Sequence, residues 1–332
     1  MFGACFGQGK TDMDNAVSAE PSGTGMSRSR PVILLFGMPR SGTTWIGKIF
    51  DSHPATLYRH EPDSYMPFRE LPLLISGDGE GYCREITRYV EKLPGCRLPV
   101  VTTKLPLFPK GYLSRGGYLM YRTSVYLSIA ARRLLPGLGL PTFNPLGRSS
   151  GDDIRVVWKS IESLGRMGAI CRCLANCRAI HIVRHPCGYV SSIIKGESQE
   201  KFFNQIKASE GYRVFAKLLA TEAGRHYGIT MEQLKAMEPL ERLAWRWVLF
   251  NEHALRETAA NPDCMTLRYE DLCLDPERVG RQMLEFTGLE WHRQTARFLH
   301  SSTSAEDGSY YGVTRDPLRA AFGWRERLSS AQ

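Results

Sequence analysis

Short apolar runs alternate with longer amphipathic stretches from residue 32 to residue 299, a rhythm of strands and helices. Val32-Ile33-Leu34-Leu35-Phe36 is apolar throughout, which predicts a strand buried on both faces. A helix over Thr44–Ser52 follows, then a short strand at Thr56-Leu57-Tyr58. The β-branched run Pro99-Val100-Val101-Thr102-Thr103 reads as a strand, as do Arg155–Trp158 and Ala179–Val183. Ile161–Leu174 is a predicted helix, and Pro186 opens another toward Lys195, because proline suits the first helical turn. Apolar spacings of three and four predict helices over Glu210–His226 and Leu240–Ala260. A last strand, Cys264–Leu267, precedes helices over Glu277–Phe286 and Trp291–Leu299 and a short one near Ala320–Leu328.

Strands alternating with helices predict an α/β fold, a single domain with a mostly parallel central sheet flanked by helices. Ligands of such sheets sit beyond the carboxyl ends of the strands. Arg40, Glu61, Lys159 and Arg184 are each expected just past a strand, so the pattern gathers four charges at one edge.

The first of these edges carries the most informative residues. Pro39-Arg40-Ser41-Gly42-Thr43-Thr44-Trp45 follows the first strand and opens a helix. Gly37 and Gly42 let backbone N–H groups approach an anion with no Cβ in the way. A helix start adds the positive end of its dipole, Arg40 a fixed charge, and Thr43 and Thr44 hydroxyl donors. The spacing matches a phosphate-binding loop up to Gly42, which makes the predicted fold P-loop-NTPase-like. The next residue is Thr43 where a nucleotide triphosphatase has lysine. A nucleotide phosphate is therefore expected, but not ATP hydrolysis.

Composition narrows this only a little. The 332 residues are 42% hydrophobic and 23% charged, ordinary for a globular chain, with a formal net charge of +9. That charge suits a polyanionic ligand without choosing one. Basic residues are spread out rather than interleaved with aromatics, so no nucleic-acid partner is expected. No apolar run is long enough to span a bilayer. Residues 1–30 are Gly, Ser and polar rich and read as a disordered leader. Nine cysteines, an odd and scattered set, predict free thiols and a reducing, cytoplasmic setting. Cys171, Cys173 and Cys177, with Cys187 nearby, match no usual metal-ligand spacing and read as small buried thiols.

A second segment, Val183-Arg184-His185-Pro186 through Ser191-Ser192, closes a strand with arginine and places a serine eight residues later. Together with Pro39–Trp45 it resembles the sulfotransferases that use 3′-phosphoadenosine-5′-phosphosulfate (PAPS). Arg268-Tyr269-Glu270-Asp271-Leu272 with Asp275-Pro276-Glu277 is similar to that family's late strand and helix. Tyr310–Pro317 with Trp324–Leu328 is similar to its cofactor-closing tail. The likeness covers most of residues 31–328, which define the expected domain.

The resemblance implies residue roles. Arg40, Ser41, Gly42, Thr43 and Thr44 would hold the 5′-phosphosulfate, and Arg184 and Ser192 the 3′-phosphate. Trp45 and Tyr269 would lie near the adenine, and Arg315 would add a phosphate contact. Glu61, in Tyr58-Arg59-His60-Glu61-Pro62, stands where carbohydrate and protein-tyrosine sulfotransferases place a glutamate base; a salt bridge to a basic neighbour is its plainer reading. Phenol and steroid sulfotransferases use a histidine in a stretch comparable to Thr103-Lys104-Leu105-Pro106, and here Lys104 replaces it. Lys159, 25 residues before Arg184, would be a transition-state lysine, with Lys104 and Arg40 beside it. The implied acceptor is a hydroxyl of a small molecule, carbohydrate or lipid, and no metal is required because cationic side chains take its place.

Residues 107–150 match the family least and read as an acceptor-side insert or lid. Their helix is apolar with a basic end, Ile129-Ala130-Ala131-Arg132-Arg133-Leu134-Leu135, which raises peripheral membrane contact as an expectation.

Overall fold

The computed structural model describes residues 30–135, 140–143, 153–199, 206–304 and 316–328. In chain order the first half is β1 (Val32–Gly37), α1 (Thr43–Ser52), β2 (Thr56–His60), α2 (Pro62–Tyr65), α3 (Cys83–Lys92), α4 (Pro99–Thr102), α5 (Arg115–Leu134), β3 (Arg155–Ser160) and α6 (Met167–Cys173). Then follow β4 (Cys177–Val183), α7 (Pro186–Ser198), α8 (Tyr212–Leu219), α9 (Glu222–Tyr227), α10 (Met231–Ala236) and α11 (Pro239–Thr258). The chain continues through β5 (Cys264–Arg268), α12 (Tyr269–Leu274), α13 (Pro276–Phe286), α14 (Arg293–Thr303) and α15 (Pro317–Phe322).

The sheet has five strands in the order β2-β3-β1-β4-β5, and every pairing is parallel. The chain leaves β1 toward β2 on one side and β4 toward β5 on the other, so the crevice between the ends of β1 and β4 is the topological switch point. Alternation along β1 explains its continuous apolar run. Val32, Leu34 and Phe36 enter one core with Val156 and Trp158, whereas Ile33 and Leu35 enter the other with Val157, Ile180 and Ile182. Both faces are covered, so no polar face is needed.

Four expectations about elements are corrected. Pro99–Thr103 is not a strand: Pro99 takes the first helical position, and the Thr102 and Thr103 hydroxyls donate to the carbonyls of Leu98 and Pro99. Val101 is buried in this helical turn, so a β-branched core residue misled the period. The helix expected from Ile161 starts only at Met167, because Ser160 Oγ accepts from the amides of Glu162 and Ser163 at 3.0 and 2.9 Å and holds a turn there. Glu210–His226 is broken at Thr221, whose side chain caps α9 through the Gly224 amide at 3.1 Å. A Cβ on Gly224 would lie 2.4 Å from the Leu218 carbonyl, so the two short helices need glycine at that crossing. Finally, Lys159 lies inside β3 rather than past its end, and Lys104 follows a helix rather than a strand.

The expectation of nine free thiols is also corrected. Cys83 and Cys173 form a disulfide that ties α3 to α6, and it removes the support that thiols lent to a reducing compartment. Cys171 and Cys177 are buried free thiols and Cys187 is half-buried. Among the described residues no group of His, Cys, Asp and Glu is arranged to hold a metal ion, and no helix is long and apolar enough to cross a membrane.

Candidate functional site

Two clusters of side chains form at the carboxyl edge of the sheet. The first surrounds the loop from Met38 to Gly42. Arg40 and Gly42 both have left-handed backbone, at φ 70° and 82°. Such strain in a non-glycine residue concentrates at functional sites. Gly42 has a second constraint, since a Cβ there would lie 2.2 Å from the Tyr269 ring. No described side chain caps α1, so its first amides and dipole are left for a ligand of negative charge. Ser41 and Thr43 are buried in this loop and Thr44 is half-buried beside them.

Folding brings the Arg184–Ser192 segment onto the first loop. Arg40 Nε donates to Ser192 Oγ at 3.0 Å across the switch-point crevice. Arg184 Nη1 donates to the Arg40 carbonyl at 2.8 Å and Nη2 to the Ala320 carbonyl at 2.6 Å. Its guanidinium also lies over the Tyr269 ring, 5.2 Å from the centroid. Among the described residues, Arg184 Nε is buried with no hydrogen-bond partner, and so is Trp324 Nε1. Trp324 stacks on His185, the residue after Arg184, at 4.7 Å. Buried donors without acceptors are rare, and two in one arginine-lined crevice suit an acceptor-only group such as a phosphate.

Trp45 and Tyr269, expected on one base, meet edge to face at 6.2 Å, and Trp45 Nε1 donates to Ser302 Oγ at 2.9 Å. Both rings belong to the core on that side of the sheet. Arg315 lies outside the described residues.

The second cluster sits at the ends of β2 and β3. Glu61 has left-handed backbone, φ 48°, as it turns the chain from β2 into α2. Its carboxylate pairs with the Lys159 ammonium, and its amide donates to the Lys159 carbonyl at 2.8 Å. The partner of Glu61 is thus Lys159 and not Arg59, which is buried and donates to the carbonyls of Leu93 and Pro94. His60 Nε2 lies 4.0 Å from Glu61, and its Nδ1 meets the Tyr58 hydroxyl at 2.9 Å. Burial, then the charges of Lys159, Lys104 and Lys48, hold His60 well below the usual histidine range, so it is neutral at pH 7. Burial and then the Lys159 charge lower the Lys104 ammonium, against the opposing pull of Glu61.

Sequence reasoning missed two supporting groups. Lys48 is fully buried in α1, paired with Asp51 and donating to the Lys104 carbonyl at 2.9 Å. Lys110 completes the group at 3.0 Å from Asp51. Burial would raise the Asp51 carboxyl, but Lys110 and Lys48 together hold it below its ordinary value. Periodicity gave no sign of it: Lys48 and Asp51, three residues apart, lie away from the apolar face Trp45, Ile46, Ile49, Phe50, where a solvent-facing pair is expected. Asp63 is the other. It accepts from Trp158 Nε1 and from the hydroxyls of Ser160 and Ser163, which locks α2, and with it Glu61, to β3. Burial raises the Asp63 carboxyl despite those bonds.

The sequence model of the sulfotransferase family matches residues 31–293. The chain is 23% identical over 349 residues to human carbohydrate sulfotransferase 2, covering 93% of this chain and 63% of that protein's length. It is 22% identical over 379 residues to carbohydrate sulfotransferase 1 of Danio rerio, covering 98% and 79%. Among solved structures, the sulfotransferase domain of the Synechococcus PCC 7002 olefin synthase aligns over 91% of this chain and 90% of its own, at 15% identity and a TM-score of 0.41.

Proposed function

The chain belongs to the sulfotransferase family, and on that premise we propose that it moves a sulfuryl group from PAPS to a hydroxyl of a small molecule, carbohydrate or lipid. The observation that carries this reading is the meeting of Arg40, Ser192 and Arg184 at the switch point, with Arg184 Nε buried and without an acceptor among the described residues. PAPS supplies an activated sulfuryl group on an anion whose phosphates need such donors. Arg184 and Ser192 bind its 3′-phosphate; Arg40, the Ser41–Thr44 loop and the start of α1 bind the 5′ side. The names of the two relatives favour a carbohydrate within the acceptor class.

Glu61 accepts the proton of the acceptor hydroxyl. Lys159 orients it: an ammonium carries three donors, and the bond to Glu61 uses one, so Lys159 serves the carboxylate and a donor oxygen together. Arg40, Lys159 and Lys104 stabilise charge that grows on the departing group, in a site whose cations are already in place. The Lys48–Asp51–Lys110 group positions the Lys104 segment through its carbonyl.

Isothermal titration with 3′,5′-phosphoadenosine and, separately, with ATP–magnesium tests this. The bisphosphate binds and ATP does not, and Ser192→Ala and Arg184→Ala weaken the bisphosphate by about tenfold or more. Preference for ATP, or equal affinity in the variants, overturns it.

A further inference from the structure

Helix α5 is amphipathic the wrong way round for a helix covering a core. Of its 20 residues only Val125 and Ser128 are buried. Its inner side is held by polar contacts: Tyr121 donates to the Thr102 carbonyl at 3.2 Å, Ser128 to the Leu140 carbonyl at 3.0 Å, and Ser124 accepts from the Phe143 amide at 3.1 Å. Leu119, Met120, Tyr126, Leu127 and Leu134 are instead 49–79% exposed. Leu119 and Tyr126, and Met120, Leu127 and Leu134, recur at spacings of seven, which puts them in two adjacent rows on one outward face. Arg115 and Arg122 are seven apart and Arg133 is five turns from Arg115, so a row of arginines borders the apolar face.

Charge decides what that face meets. Between Glu91 and Asp152 the sequence has no acidic residue at all. A second copy of the helix would set arginine rows against each other, whereas an anionic surface complements them. We propose that α5 is an interfacial docking helix, whose outward leucines, methionine and tyrosine enter the headgroup boundary of an anionic bilayer while Arg115, Arg122 and Arg133 engage its phosphates. The helix lies beside the second cluster. Arg132 and Glu61 both act on the exposed Tyr65 phenol, and Tyr121 is bonded two residues before Lys104. The inference stands apart from the sulfuryl-transfer reading, because binding is measured without any donor.

The full chain is floated with phosphatidylcholine vesicles, with and without phosphatidylglycerol. It rises with the anionic vesicles and binds the neutral ones about tenfold less. Leu119→Ser/Leu127→Ser, both exposed positions, keeps the melting temperature and lowers vesicle binding by about tenfold or more. Arg122→Glu/Arg133→Glu removes the preference for anionic lipid. Absence of flotation by folded wild type, or undiminished binding by either double variant, overturns the proposal. So does a concentration-dependent dimer that is lost in Leu119→Ser/Leu127→Ser, which would assign the face to a second copy.

Discussion

Glu61 and Lys159 are tied twice, once through an ion pair between their side chains and once through the Glu61 amide, which donates to the Lys159 carbonyl at 2.8 Å. The register explains it. His60, the last residue of β2, is the register partner of Lys159 in β3, so the residue after β2 turns over the lysine. The two residues act as one unit, with consequences for their variants.

Glu61→Gln keeps an oxygen for the buried ammonium and removes the base. Turnover falls about 10²–10⁴-fold while the fold survives. Lys159→Met costs about 10²–10³. The double variant loses less than the product of the two, since each change already disables the shared unit. Single-turnover transfer from labelled PAPS measures all three, and wild-type turnover in Glu61→Gln would remove the base assignment.

Gly42→Ala introduces a Cβ at φ 82°, 2.2 Å from the Tyr269 ring. Left-handed backbone costs an alanine about 1–2 kcal/mol and the clash adds to it, so urea unfolding should show a loss of about 2–4 kcal/mol. Gly42→Ala/Tyr269→Ala tests the cause: if the ring is responsible, the pair couples and part of the loss disappears.

Stability falls with acid through two histidines. Burial lowers both His53 and His181 from 6.5 to about 4. Between those values the unfolded chain binds more protons, so stability is complete above about pH 6.5 and declines as pH drops toward 4. Urea midpoints measured across that window should fall, and His181→Leu should flatten the slope. A slope unchanged by that variant would refute the share assigned to His181.

Reduction should loosen the junction of α3 with α6. The Cys83–Cys173 bond closes a segment with a sequence separation of 90, and breaking it costs about 2–4 kcal/mol. Unfolding with and without reductant measures the loss, and Cys83→Ala/Cys173→Ala should match the reduced protein and be insensitive to reductant.

Much of this molecule follows from local chemistry. The apolar run Val32–Phe36, the glycine at position 42 and Pro186 at a helix start are short-range features, and each predicted its element. A parallel sheet then brings strand ends together whatever the intervening lengths, which is why four charges from distant segments could be placed at one edge. Tertiary packing decided the rest. It made Pro99–Thr102 helical and set Lys159 within β3, where only strand register puts it on Glu61. It buried Lys48 against Asp51 and Lys110, 59 residues beyond that acid. It joined Cys83 to Cys173, which no spacing announces. And it turned the apolar side of α5 outward. Periodicity records that a helix has two faces, but only the surrounding elements determine which face they cover.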